Sequence, residues 1–295
     1  MKNKKLTIFL IVILSIISIA LIVFMIGLIN GNFKFLNFKF NYKVSNELVL
    51  DEVYDNEFND ISILSNASDI YIKQSSDEYI RVIIYGEKEN TSVENQNEKL
   101  SIVSKQKSCT GFCFNNTIAK VEVYIPKEYE NSIEINNQYG DIRIDEFSNA
   151  NIDIDEDCGD VTVISGKKVS IDNNFGDITL DKADSADIKE SAGNVKIGDV
   201  FDITVNNAYG DIEINRVNNY LNLSNDCGDI KVRSIVLNKN SYIENNFGDI
   251  KIESTNEIYI NAQTNLGDVK INNNYQKSDI TLTIKNDLGD ITINN

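Results

Sequence analysis

The apolar positions of this chain follow two regimes. From Leu6 to Ile29 they run on for 24 residues without a charge, interrupted only by Thr7, Ser15, Ser18 and Gly27. As a helix rising ~1.5 Å per residue this run is ~36 Å long, enough to cross a hydrocarbon core of ~30 Å. It predicts a transmembrane helix at 6–29 behind a five-residue tail. Lys2, Lys4 and Lys5 would also suit a signal peptide. The apolar stretch, however, exceeds the ~7–15 residues of a signal's core, and Asn30-Gly31-Asn32-Phe33 follows it instead of a small-x-small cleavage site. Three lysines and the amino group crowded before the span outweigh Lys34, Lys39 and Lys43 beyond it. The N-terminus is therefore expected in the cytoplasm and the remainder outside.

Beyond residue 55 the pattern becomes period-2 alternation, the signature of strands with one buried face. From residue 131 onward a motif, Gly-Asp-Ile-x-Ile in its commonest form, recurs nine times, on Gly140, Gly159, Gly176, Gly193, Gly210, Gly228, Gly248, Gly267 and Gly289. Asp follows each of these glycines except Gly193, which precedes Asn194. Around Gly176, for instance, apolar residues fall at −7 (Val169), −5 (Ile171), −1 (Phe175), +2 (Ile178) and +4 (Leu180). Two short strands joined at a glycine corner, repeated every 17 to 22 residues, describe the coil of a β-solenoid. Nine coils at ~4.8 Å spacing would make a rod ~43 Å long. The −1 residues (Tyr139, Cys158, Phe175, Ala192, Tyr209, Cys227, Phe247, Leu266 and Leu288) are expected to stack in the interior beside the corner. Ser68-Asp69 is a degenerate earlier copy, while Tyr79–Tyr85, Lys99–Ser104 and Lys120–Ile125 alternate as ordinary strands.

The expected organisation is a tail at 1–5, a span at 6–29, a linker at 30–54 and an all-β solenoid of about 9–10 coils at 55–295, irregular over 55–130 and regular over 131–295. Spacing varies only between +4 of one copy and −7 of the next, so insertions gather on one edge. Asp145–Asn151, Arg233–Asn240 and Asn272–Thr281 on that edge are the expected contact surface. The chain stops inside the last strand motif, Asp290-Ile-Thr-Ile-Asn-Asn295, which suggests an open backbone edge able to pair with a partner strand or a second copy.

Val121-Glu-Val-Tyr-Ile-Pro-Lys127, Ser132-Ile-Glu-Ile-Asn-Asn-Gln-Tyr-Gly-Asp-Ile142 and the Gly-Asp-Ile series together resemble the bacterial putative-adhesin domain family, a domain of unknown function in membrane-anchored proteins of Gram-positive bacteria. The resemblance spans about residues 55 to 295. It implies a right-handed β-solenoid at the cell surface, sometimes tied to envelope-stress systems, and it brings no catalytic residues.

Composition narrows the function. Residues after 50 hold 22 basic and 44 acidic side chains, a net charge of −22. Affinity for nucleic acid rests on Lys and Arg displacing counterions, so a nucleic-acid partner is excluded. There is no His, which removes Ser-His-Asp and Cys-His chemistry. The aspartates Asp141, Asp160, Asp177, Asp211, Asp229, Asp249, Asp268 and Asp290 form a ladder in which neighbours ~4.8 Å apart repel by ~0.9 kcal/mol even in water. Either backbone N–H groups at the corners offset this, or calcium held between coils does. Asn137, Asn173, Asn174, Asn207, Asn225, Asn245 and Asn246 suit stacked amide ladders. Cys158 and Cys227 lie four coils apart, roughly 19 Å, too far to bond. Cys109 and Cys113 either close a small disulfide or stay reduced.

No local acid cluster departs from the repeat, which speaks against an enzyme. The expected function is a membrane-anchored surface binding or scaffold protein, adhesin-like and non-catalytic, contacting cell-envelope polymer or a membrane protein. The alternatives are a regulatory partner of a membrane sensor in envelope stress and, more remotely, a polysaccharide-active solenoid enzyme.

Overall fold

The computed structural model describes residues 43–55, 57–106, 117–272 and 274–294. The expected transmembrane helix at 6–29 and the Cys109/Cys113 pair lie outside these residues. Among the described residues no helix is long and apolar enough to cross a membrane. They belong to one compact unit, Tyr42–Asn295, and the only helical element among them is a short 3-10 turn at Lys88–Asn90.

The irregular region contributes β1 (Lys43–Val44), β2 (Leu48–Tyr54), β3 (Asp60–Ser65), β4 (Ser68–Ser75), β5 (Ile80–Tyr85), β6 (Thr91–Gln96), β7 (Lys99–Ser104) and β8 (Thr117–Pro126). Part of the segment expected to be linker thus forms β1 and β2. The regular region contributes β9 (Ser132–Tyr139), β10 (Ile142–Cys158), β11 (Val161–Phe175), β12 (Ile178–Ala192), β13 (Val195–Tyr209), β14 (Ile212–Cys227), β15 (Ile230–Ile235), β16 (Ser241–Phe247), β17 (Ile250–Ile252), β18 (Tyr259–Leu266), β19 (Val269–Ile271), β20 (Thr281–Leu288) and β21 (Ile291–Ile293). This is an all-β solenoid of about eight turns. This is fewer than the 9–10 coils expected, and part of the irregular region, β2, β5 and β6, pairs antiparallel instead of adding coils.

Each long strand runs in pairs with its neighbours in register, all parallel, so that equivalent residues stack turn upon turn: Ile142 on Val161, then Ile178, Val195, Ile212, Ile230 and Ile250. Alternation sends +2 and +4 inward from one face and −7 and −5 inward from the other, and these aliphatic side chains are almost all buried. A third inward position at +7 (Phe147, Ala183, Val200, Val217 and Ile235) closes the core at the edge opposite the glycines. Gly166 occupies that position in the second turn, where a side chain would meet Val169 and Ile152.

Turn order departs from chain order at both ends. The first turn, β3–β4, lies between β7–β8 on one side and β9–β10 on the other. The last turn, β20–β21, is inserted between β16–β17 and β18–β19. The final strand is therefore paired on both sides, and the open edge expected at Asp290–Asn295 belongs to β18 and β19 instead. Part of that edge is capped, because the Asn274 side chain accepts from the Ile260 N–H and donates to the Ile260 carbonyl, both at 2.9 Å. At the other end antiparallel β2, β5 and β6 cover the stack, a common device for blunting strand edges.

Candidate functional site: the glycine corner edge

The corners are narrow because each glycine packs on the one below. Gly176 has φ +139°, and a Cβ there would strike the Gly159 carbonyl. Only glycine combines that backbone angle with so close an approach. From each corner three side chains leave in fixed directions, at −3, −1 and +1.

The −3 side chains point inward. In stacking order they are Asn137, Glu156, Asn173, Glu190, Asn207, Asn225, Asn245, Asn286 and Thr264. Most bond a corner carbonyl: Asn207 Nδ2 donates to Gly210 at 3.0 Å, Asn245 Nδ2 to Gly228 at 3.1 Å and Asn286 Nδ2 to Gly248 at 2.9 Å. Asn137, Asn173, Asn207, Asn225 and Asn245 thus share one stacked column but donate to backbone carbonyls instead of bonding one another as the expected amide ladder would, whereas Asn174 and Asn246 face outward onto Asp157 and Asp226. Glu156 and Glu190, missed by the sequence reading, occupy the same column. Burial raises both carboxyls to about 7, against hydrogen bonds from Asn137 and the Cys158 N–H to Glu156 and from the Ala192 N–H to Glu190. The Oδ1 atoms of Asn137, Asn173, Asn207, Asn225, Asn245 and Asn286, with Glu190 Oε2, are buried acceptors without a partner among the described residues.

The column corrects the placement of the −1 residues. With the interior beside each corner filled by a −3 side chain, the −1 side chain turns outward. Tyr139, Phe175, Tyr209 and Phe247 are 47, 59, 63 and 52% exposed. Cys158 and Cys227 are free thiols, partly exposed in the same row. Leu266 and Leu288 continue it at the far end.

The +1 carboxylates line the other side of the glycines. The Asp160 N–H donates to Asp141 Oδ1 at 3.0 Å, Asp177 N–H to Asp160 Oδ1 at 2.9 Å, Asp229 N–H to Asp211 Oδ1 at 2.8 Å and Asp249 N–H to Asp229 Oδ1 at 2.8 Å. The ladder then passes from Asp249 to the Asp290 N–H and from Asp290 to the Asp268 N–H, both at 2.8 Å, matching the shuffled turn order. Asp69 extends it backward, accepting from Asp141. Asn194 keeps the pattern, its Oδ1 accepting from the Asp211 N–H at 3.0 Å. Backbone donors thus take one oxygen of each link, the first of the two arrangements expected to offset the repulsion. Among the described residues none of these aspartates makes an ion pair, and no three acidic or thiol side chains gather as a metal-holding group.

Lysines cluster elsewhere, on the irregular end. Lys73 and Lys120 approach Glu122 at 2.6 and 3.0 Å, with Tyr71, Tyr85 and Tyr124 rings 5.2 to 5.8 Å from the ammonium groups. Burial would raise Glu122, but the two lysines outweigh it and lower the carboxyl. Lys73 of β4, paired with Glu122 of β8 beside Lys120, braces the two strands. On the opposite edge, Asp145–Asn151 forms the bend within β10, and Asn274 in the Asn272–Thr281 segment braces β18.

Comparison with known proteins finds one matching family and several similar solved structures. No curated protein matches the chain. A putative adhesin from Bacteroides fragilis is 18% identical over 86% of this chain and all of its own, with a TM-score of 0.45. A putative lipid binding protein from Parabacteroides distasonis is 16% identical over 85% of this chain and 99% of its own, TM-score 0.43. A putative cell adhesion protein from Clostridium sporogenes is 14% identical over 83% and 98%, TM-score 0.26. The family model described as Toastrack DUF4097 matches residues 58–201 and 181–295, and the chain belongs to that family.

Proposed function

We propose that this chain is a membrane-anchored, extracytoplasmic binding or scaffold protein, adhesin-like and without catalytic activity. The supporting observation is the row of exposed aromatic and aliphatic side chains along the corner edge, beside carboxylates that make no ion pair among the described residues. Surface rings in a row cost exposure to water at every second turn, and large exposed apolar patches mark interaction sites. The apolar run at 6–29 supplies the anchor, and the lysine distribution directs the solenoid outward. A non-catalytic role fits the chemistry of the edge, where each acid repeats its neighbour's environment and no pair is set apart as acid and base.

The test is protease shaving and membrane-impermeant labelling of intact cells that express the full chain, with pull-down of whatever it holds. Surface labelling with capture of envelope material is expected. A protein protected until the cells are lysed would overturn the reading. Capture of one membrane protein alone would replace it with the regulatory alternative.

A further inference from the structure

Stacking order separates the −1 row into large and small members. Tyr139 pairs with Cys158, Cys158 with Phe175, Phe175 with Ala192, Ala192 with Tyr209, Tyr209 with Cys227 and Cys227 with Phe247. An aromatic ring therefore stands on every second turn, with a small side chain between. Turns are ~4.8 Å apart, so rings recur every ~9.6 Å over four positions. The small residues leave a shallow gap between rings, and the aspartate ladder runs alongside, two residues from each ring in sequence.

From this geometry we infer that the corner edge binds a linear β-1,4-linked polysaccharide bearing free amino groups. An extended chain of that linkage repeats every two sugars, at a length close to the ring spacing, and presents the same sugar face at each repeat. One sugar of each pair lies flat on a ring, and the next spans the gap over Cys158, Ala192 or Cys227. Ammonium groups are attracted both by aromatic faces and by the carboxylates. Hydroxyls and amines donate to the Oδ2 atoms, which have no partner among the described residues while Oδ1 takes the backbone N–H. An anionic polymer would meet the acidic rail with like charge, and the charge complementarity selects an amino sugar. The inference deepens the proposed function by naming the ligand class at the same edge.

The experiment is titration of the full chain in mild detergent with glucosamine oligomers of increasing length, with N-acetylglucosamine oligomers and oligolysine as comparisons. Affinity should climb in steps of two sugars. Tyr209→Ala and Phe247→Ala, both more than half exposed and outside the buried core, should each weaken binding about tenfold. Asp211→Asn with Asp229→Asn keeps the corner bonds, as Asn194 does, and should weaken binding and flatten its salt dependence. Equal binding of the acetylated oligomer or of oligolysine would overturn the inference, as would ring variants that bind normally. A chain that binds no glucosamine oligomer yet is labelled on intact cells and captures envelope material overturns this inference and leaves the proposed function standing.

Discussion

Glu156 and Glu190 stand in a column of buried amides, where their Oε atoms share the interior with unpartnered asparagine oxygens. Burial lifts both carboxyls to about 7. In the unfolded chain a glutamate ionises near ~4.3. Between that value and about 7 the folded state holds protons that the unfolded state has released, so stability falls as pH rises through the window and the loss is complete above it. Protonated Glu190 also supplies a donor to a column rich in acceptors. Glu156→Gln and Glu190→Gln should each stabilise the solenoid at pH 8 by roughly 1–3 kcal/mol and change little at pH 5, as read by chemical denaturation at the two pH values. At the aspartate ladder, Asp229→Asn should be close to neutral while Asp229→Ala costs about 1 kcal/mol by leaving the Asp249 N–H unbonded in the protein. With one oxygen of each ladder link already committed to backbone, millimolar calcium should leave the melting temperature unmoved. A rise of several degrees would restore the metal reading.

At the scale of elements, the sequence showed which segments form strands but not the order in which turns stack. Period-2 alternation marks Ile142, Ile144, Ile152 and Ile154 as one buried set, and the structure buries all four. The exchange of β18–β19 with β20–β21 leaves no trace in spacing, because any parallel turn offers the same ladder to its neighbour. The −1 residues were misplaced for a related reason. Alternation continued through the corner would send them inward, but the glycine breaks the alternation and the −3 amide fills the space. Two outcomes follow. In hydrogen exchange the amides of β20 and β21 should be protected as deeply as those of β16, whereas Ala262 and Thr264 on the free edge exchange fast. Gly176→Ala should destabilise by about 2–4 kcal/mol in denaturant titration, since it adds a side chain at positive φ against the Gly159 carbonyl.

The solenoid formed by the described residues has two unlike edges. One carries bends and insertions, which the sequence pointed to through its spacing. The other carries aromatic side chains and carboxylates in straight rows, which became visible only once the turn order and the direction of the −1 side chains were known. The corner edge is the face proposed for binding. The most direct test places a photo-crosslinking residue at Tyr209 on the corner edge and, separately, at Tyr275 in the insertion edge of the full chain in native cells. Capture of envelope polysaccharide is expected from position 209 and little from 275. Capture from 275 alone, or equal capture from both, would contradict it.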